Sequence, residues 1–246
     1  MFRIEINAGI FKDAIETVST LVDESRMRFN PDGISINAVD PSNVAMVSLD
    51  LQKEAFITYE CDEGEIGLDL IKFSNILSMA DSGGIILMEI DEKSHKLKIE
   101  MDGLKYLISL LDPSSIRKEP KVPDLDLPCQ VEITGAVFKT AIKASDKISD
   151  HISFIVDGDN FVIEAEGDTD RVRMEFEKDE LLGITGGSAS SLFSLDYLSD
   201  MNKAISKIPQ ITLKLGNEYP LKIDFKMADG YGSVGYLLAP RIESPD

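Results

Sequence analysis

Cysteine and histidine are scarce in this 246-residue chain, with two of each. Cys61 and Cys129 have no CxxC spacing, so neither a disulfide framework nor a zinc site is built into the sequence. His95 lies in the turn Asp91-Glu92-Lys93-Ser94-His95 and His151 follows a helix end, which are positions for surface residues rather than general bases. GxSxG, Walker A, HExxH and GxGxxG motifs are absent. The run Gly186-Gly187-Ser188-Ala189-Ser190-Ser191 has no lysine after it, so it reads as a flexible loop and not as a phosphate cradle. No apolar run approaches the ~20 residues needed to cross a bilayer. The start MFRIEINAGIF shows no signal-peptide pattern, so the expected home is cytosolic and reducing, with no membrane partner.

Positive charge is also in short supply. The 25 Lys+Arg face 44 Asp+Glu, a net charge of −19. Phosphate affinity comes from lysine and arginine, so tight nucleic-acid binding over the whole surface is excluded. A DNA role then requires locally clustered cations, or a way of holding DNA other than affinity.

What is present is an ordinary globular composition, 43% hydrophobic and 28% charged. Its length suits one large domain or two of about 120 residues. The chain repeats itself. With a shift of about 127 residues, Glu5, Ile6, Phe11, Lys12, Ala14 and Ile15 fall on Glu132, Ile133, Phe138, Lys139, Ala141 and Ile142. Asp23, Asp32, Ile36 and Ala38 fall on Asp150, Asp159, Ile163 and Ala165, and Leu68, Asp69 and Asn75 on Leu195, Asp196 and Asn202. Later, Leu97-Lys98-Ile99 matches Leu221-Lys222-Ile223. This is a duplicated domain.

Each half predicts a short strand (2–7; 130–134) leading into a helix. The apolar stripe Ile10, Phe11, Ala14, Ile15, Val18, Leu21 and Val22 has helical spacing, and Val137, Phe138, Ala141, Ile142 and Ile148 repeat it. Alternating strands at 26–29, 33–39 and 44–51 are separated by Asn30-Pro31-Asp32-Gly33 and Asp40-Pro41-Ser42-Asn43. Second helices are expected at 69–80 and 196–208, capped by Asp69 and Asp196. Closing strands are expected at 85–91, 96–101 and 105–112, then 210–215, 221–227 and 233–238. The fold class is α+β, with mostly antiparallel sheet and two helices per half. The domains are expected at 1–113 and 129–246. Between them 114–128 is a stiff connector, with prolines at 113, 120, 123 and 128 in and beside it. In that connector Val122, Leu125 and Leu127 are apolar, either tacked onto a domain face or left available to a partner.

Two charge patterns bear on function. Glu164, Glu166, Asp168 and Asp170 recur at period two, which admits a carboxylate-dependent, Mg²⁺-using nuclease as a rival reading. A row on one strand spreads charge instead of converging it, so a solvated sheet face is preferred. Lys139, Lys143 and Lys147 line one face of the third helix, and Lys203 and Lys207 one face of the fourth. Lys12 and Lys72 lie on the first two. A lysine-bearing helical surface on an acidic protein is a candidate DNA-facing surface.

The residues Ala38-Val39-Asp40-Pro41-Ser42-Asn43-Val44-Ala45-Met46-Val47, Val122-Pro123-Asp124-Leu125-Asp126-Leu127-Pro128 and Tyr236-Leu237-Leu238-Ala239-Pro240-Arg241-Ile242-Glu243 carry a resemblance to the proliferating cell nuclear antigen family of DNA sliding clamps, in its archaeal form. The resemblance runs end to end. It implies a non-enzymatic homotrimeric ring, with helices lining the hole and sheets outside, that encircles duplex DNA and gives DNA polymerase processivity in replication and repair. No cofactor or metal is implied. A closed ring holds DNA topologically through weak, water-mediated contacts, which reconciles the clamp with the net charge. Lys12, Lys72, Lys139, Lys143, Lys147, Lys203 and Lys207 are then the hole lysines. Lys143, Lys147 and Lys203 match the family best, and Asn75 and Ser78 stand where some relatives carry lysine.

The resemblance also implies that polymerase, flap endonuclease, ligase and clamp loader dock through a short PIP-type peptide bearing an aromatic pair. Its pocket would comprise Val39, Val44, Met46, Leu125, Leu127, Pro220, Leu237, Leu238, Ala239 and Pro240, rimmed by Asp40, Asp124, Asp126 and Glu243. Leu237 stands here where some relatives have tyrosine, and Asn43 replaces a histidine. Subunits would join by edge pairing of 105–112, with Lys105, Tyr106, Ile108 and Leu110, against 170–178, where Arg171, Arg173, Glu175 and Glu177 supply ion pairs. A protein-binding scaffold that forms one subunit of a heteromeric ring is the remaining rival, and the expected location is cytoplasmic and nucleoid-associated.

Overall fold

Period-two burial shapes the strands. In β1 (Phe2–Asn7) Phe2, Ile4 and Ile6 are buried and the residues between them are half-buried. In the computed structural model the described residues are 1–91, 93–118 and 125–242. Glu92, Pro120, Val122, Pro123, Asp124 and Glu243, which figured in the expectations above, lie outside them. The chain divides into two units. One comprises Met1–Pro41, Val47–Pro120 and Lys226–Val234, and the other Ser42–Met46, Lys121–Phe225 and Gly235–Asp246.

In the first unit Asn7 caps α1 (Ala8–Ser19), its side chain accepting from Ile10 N at 3.2 Å. The face Phe11, Ala14, Ile15 and Val18 is buried. β2 (Glu24–Asn30), β3 (Gly33–Val39), β4 (Ala45–Gln52), β5 (Thr58–Cys61) and β6 (Gly64–Asp69) follow. Asp69 then caps α2 (Leu70–Leu77) by accepting from Lys72 N at 2.9 Å. This helix stops short of the expected residue 80. Met79 N and Ala80 N turn back to the carbonyls of Ile76 and Leu77, the tight bonding of a helix end. β7 (Ile85–Asp91), β8 (Lys96–Met101) and β9 (Leu104–Ser109) complete an antiparallel sheet ordered β5-β1-β7-β8-β9. β2 pairs antiparallel with both β3 and β6. Phe11 and Phe73 meet edge to face, 5.9 Å between centroids, where α1 and α2 pack together.

The second unit repeats this frame. β10 (Cys129–Ile133) leads to α3 (Gly135–Ser145), capped by the Thr134 hydroxyl. β11 (His151–Asp157), β12 (Asn160–Glu166), β13 (Arg171–Phe176), β14 (Gly183–Thr185) and β15 (Ser188–Ser194) follow, then α4 (Leu195–Ile205), β16 (Ile211–Leu215), β17 (Leu221–Met227) and β18 (Gly232–Leu238). One antiparallel sheet is ordered β13-β12-β11-β15, and β10 pairs with β14 and β16, the latter with β17. Phe154 sits in a ring cluster with Phe138, Phe161 and Phe193.

Two local expectations are corrected. Asp196 is not a cap: α4 begins at Leu195 after Ser194, and Asp196 lies in the first turn, where its charge favours the helix dipole. Residues 188–191 are not a loop. They open β15, which pairs with β11 over seven positions and buries Ala189, Ser191 and Phe193. The small side chains hid this strand, and Ser191 satisfies its buried hydroxyl on the Gly216 carbonyl at 2.9 Å.

Candidate functional site

Three surfaces hold the residues singled out by sequence. The first is helical. α3 and α4 pack side by side, burying Phe138, Ala141 and Ile142 on one and Leu198, Met201 and Ile205 on the other. That leaves Lys139 and Lys143 exposed on α3 and Lys203 exposed on α4. Lys147 and Lys207 are exposed too, but each lies beyond its helix end, so neither continues the helical stripe. Lys203 pairs with Asp200 at 2.6 Å, an exposed i, i+3 pair worth little in water. The first unit presents less free charge. Lys72 is exposed on α2, whereas the Lys12 ammonium folds onto the Ala80 carbonyl and satisfies the end of the α2 turn.

The second surface is apolar. Ala239 N donates to the Val44 carbonyl at 2.9 Å, so the segment after β18 lies directly beside Val44. Leu125, Leu127, Met46, Pro220, Leu237, Ala239 and Pro240 are all half-buried in the same unit. Leu238 differs: it is 0% exposed and points into the core, so it supports the patch from beneath and cannot line it. Val39 belongs to the other unit, where it is buried and lines a separate cavity. Asp40 is buried as well, which removes it from a solvated rim, while Asp126 is exposed.

The third surface is a pair of sheet edges. Among the described residues β9 pairs only with β8, and β13 only with β12. The β9 strand ends at Ser109, shorter than expected, because Leu111 N turns to the Gly67 carbonyl at 3.0 Å and bridges to β6. Leu110 is therefore off the strand. Along β9 the side chains alternate: Ile108 is buried in the core, Tyr106 is half-buried, and Lys105 and Leu107 point outward. Leu107 is 55% exposed. With Ile71 (55%), Met79 (60%) and Ile76 from the α2 region it lines an open apolar hollow of about 680 Å³. Sequence reasoning missed these α2 residues. Ile71 and Met79 fall off the buried stripe of Leu70, Phe73 and Leu77, and that was the available signal.

The β13 edge is charged. Arg171 and Arg173 both bind Glu164 at 2.6 Å, and Arg173 also pairs with Glu175. The arginines are thus already engaged within their own unit, and Glu177 lies past the strand, its N–H accepted by the Glu180 carboxylate. Hydrogen bonding from Arg171, with Arg173 adding to it, holds the Glu164 carboxyl below its ordinary range despite partial burial. Glu164 is accordingly committed to guanidinium partners. Among the described residues no three His, Cys, Asp or Glu side chains are grouped so as to hold a metal ion.

The chain as a whole is similar to known proteins. The family models described as proliferating cell nuclear antigen, N-terminal domain and C-terminal domain match residues 1–106 and 121–241. A protein of Methanococcoides burtonii named DNA polymerase sliding clamp is 52% identical over 244 residues, 99% of this chain and all of its own length. The A. fulgidus PCNA bound to the C-terminal region of FEN-1 superposes with a TM-score of 0.95 at 36% identity, covering both chains fully. PCNA from Thermococcus kodakaraensis superposes at 0.91 with 26% identity, over 98% of this chain and 100% of its own.

Proposed function

The chain belongs to the proliferating cell nuclear antigen family, and from that premise we propose how its own residues carry out the work of a DNA sliding clamp. It is a processivity factor, not an enzyme: it encircles duplex DNA, tethers DNA polymerase and serves as a docking platform for replication and repair enzymes. The unlike sheet edges carry the proposal of a homotrimeric ring. The apolar β9 edge with Leu107 and the charged β13 edge with Arg171 and Arg173 stand on one chain, and head-to-tail pairing between copies covers both. In that ring Lys72, Lys139, Lys143, Lys147, Lys203 and Lys207 face the DNA. Lys12 contributes less because its ammonium is tied to Ala80.

Partner peptides dock on the patch of Val44, Met46, Leu125, Leu127, Pro220, Leu237, Ala239 and Pro240. The domain boundaries that go with this reading are 1–113, 114–128 and 129–246. No helix among the described residues is long and apolar enough to cross a membrane, and we infer a cytoplasmic, nucleoid-associated location.

Light scattering over a dilution series tests the ring. A persistent species of about three times 27.1 kDa, together with extended primer synthesis by the cognate polymerase, is expected. A stable 27.1 kDa species would overturn the homotrimer and favour the heteromeric-ring reading.

A further inference from the structure

A cavity of about 560 Å³ opens in the first unit between the start of β2, the end of β3, the start of α2 and the segment after β9. Ala38, Val39, Leu111 and Ile116 give it apolar walls. Arg26 is set among them at only 9% exposure. Its Nη2 donates to the Ile116 carbonyl, while its Nε–H has no hydrogen-bond partner and is shielded from bulk water. No carboxylate of the described residues forms a direct ion pair with this guanidinium; the exposed Asp112 carboxylate feels its charge through space. A nearly buried cation with one neutral acceptor and only an exposed, more distant carboxylate is costly, and an anion delivered into the cavity relieves that cost.

The lining selects the kind of anion. Asp23, Glu24 and Asp69 are exposed around the mouth, where their charges are solvated and screened. They oppose a multiply charged group such as phosphate more than a single negative charge. The second arginine of the cavity, Arg117, is already engaged by the Asp40 and Pro41 carbonyls, which leaves Arg26 as the anchor. We propose that this cavity binds a monocarboxylate carried on an apolar body, the carboxylate on the Arg26 guanidinium and the body against Val39, Leu111 and Ile116. A glutamate or aspartate side chain in an apolar peptide has this chemistry, and so has a free hydrophobic acid. The proposal stands on the first unit alone and does not depend on the docking patch of the second.

The test uses the full-length protein with isoleucine methyl groups labelled for NMR, Ile116 and Ile71 being the reporters. Three probes are titrated: 4-phenylbutyrate, its uncharged amide, and N-acetyl-Leu-Glu-amide, with inorganic phosphate as a fourth. Saturable shifts at Ile116 with a carboxylate probe, at least tenfold weaker for the amide and for phosphate, are expected. Saturation by the blocked dipeptide identifies a peptide side chain as a source, and saturation by phenylbutyrate alone identifies a free acid. Arg26→Gln should abolish the shifts, and Arg26→Lys should retain a weakened response. If Arg26→Gln fails to fold, the acid-against-amide comparison on the unaltered protein still decides. Equal shifts for acid and amide, absence of saturation with either carboxylate, tighter binding of phosphate, or undiminished binding by a folded Arg26→Gln protein would each overturn the proposal.

Discussion

The first helices of the two halves begin at corresponding residues, Ala8 and Gly135, and in each the first N–H donates to a carbonyl from further along its own unit: Gly84 in one, Ile208 in the other. In the second half the approach is closer. A Cβ at Gly135 would stand 2.1 Å from the Ile205 carbonyl oxygen, whereas Ala8 carries a fully buried methyl group at the corresponding place. The interiors otherwise follow one plan, whereas the surfaces have parted. Lys12 is bonded to the backbone while Lys139 and Lys143 have no ion-pair partner among the described residues, and the open edge of one half is apolar while that of the other is charged. Duplication conserves what the core requires and lets the two exteriors become unlike, and unlike exteriors on one chain are what a head-to-tail ring needs.

The largest effect should come from making the two edges alike. Leu107→Glu puts charge on β9 opposite a β13 that already carries paired charges. The light-scattering mass should fall from about three times 27.1 kDa to 27.1 kDa, with the fold retained by circular dichroism. A Leu107→Glu protein that keeps the larger mass would remove β9 from the interface.

Next in size is the helix start. Gly135→Ala drives a methyl group into backbone oxygens, which cannot rotate away as a side chain can. A loss of roughly 2 kcal/mol or more in urea unfolding is expected. The mirror change, Ala8→Gly, should cost about 1 kcal/mol or less. Equal costs at the two sites would mean that the closer packing of the second half has no energetic weight.

Smaller again is the lysine contrast. Removing Lys139 and Lys143 together should reduce the salt dependence of DNA association by about one unit of slope for each phosphate left without its cation. Lys12→Ala should leave it nearly unchanged. A Lys12→Ala effect as large as that of the double variant would break the distinction between free and backbone-bound lysines.

What could be seen in the sequence, and what could not, follows the same division. Phe2–Asn7, Gly33–Val39, Ile85–Asp91 and Lys96–Met101 were legible to the residue because alternation on a half-buried strand is a local signal. β15 was not, since Ser188, Ala189, Ser190 and Ser191 have neither bulk nor alternation, and only pairing with β11 makes them a strand. Leu238 was legible as apolar but not as core, because its inward side depends on the register of β18. The exposure of Ile71, Met79 and Leu107 is likewise a tertiary fact, and so is the burial of Arg26.

The smallest expected effect concerns acid, and it compares the edges once more. Glu164, beside β13, is held below its ordinary range by Arg171 and Arg173 and is partly buried. Glu100, beside β9, is lowered by Lys98 and Lys105, at 2.7 and 3.3 Å, and is half-buried like Glu164, but its partners are flexible lysines instead of two planar guanidiniums at 2.6 Å. A carboxyl whose folded value is depressed contributes stability that is fully present above its unfolded value, about 4.5 for glutamate, and is lost as pH falls through the folded value. Both edges should therefore lose stability as pH drops below 4.5, with the larger total loss at the β13 edge, where the guanidinium pairs are shorter. Hydrogen exchange should show protection falling further at the Arg173 and Glu175 amides than at those of β9. Replacing both arginines by glutamine should flatten the acid dependence at β13, since no depressed value then remains to titrate. Parallel loss at the two edges, or an acid dependence unchanged in the double variant, would mean that the Glu164 pairs do not distinguish the second half from the first.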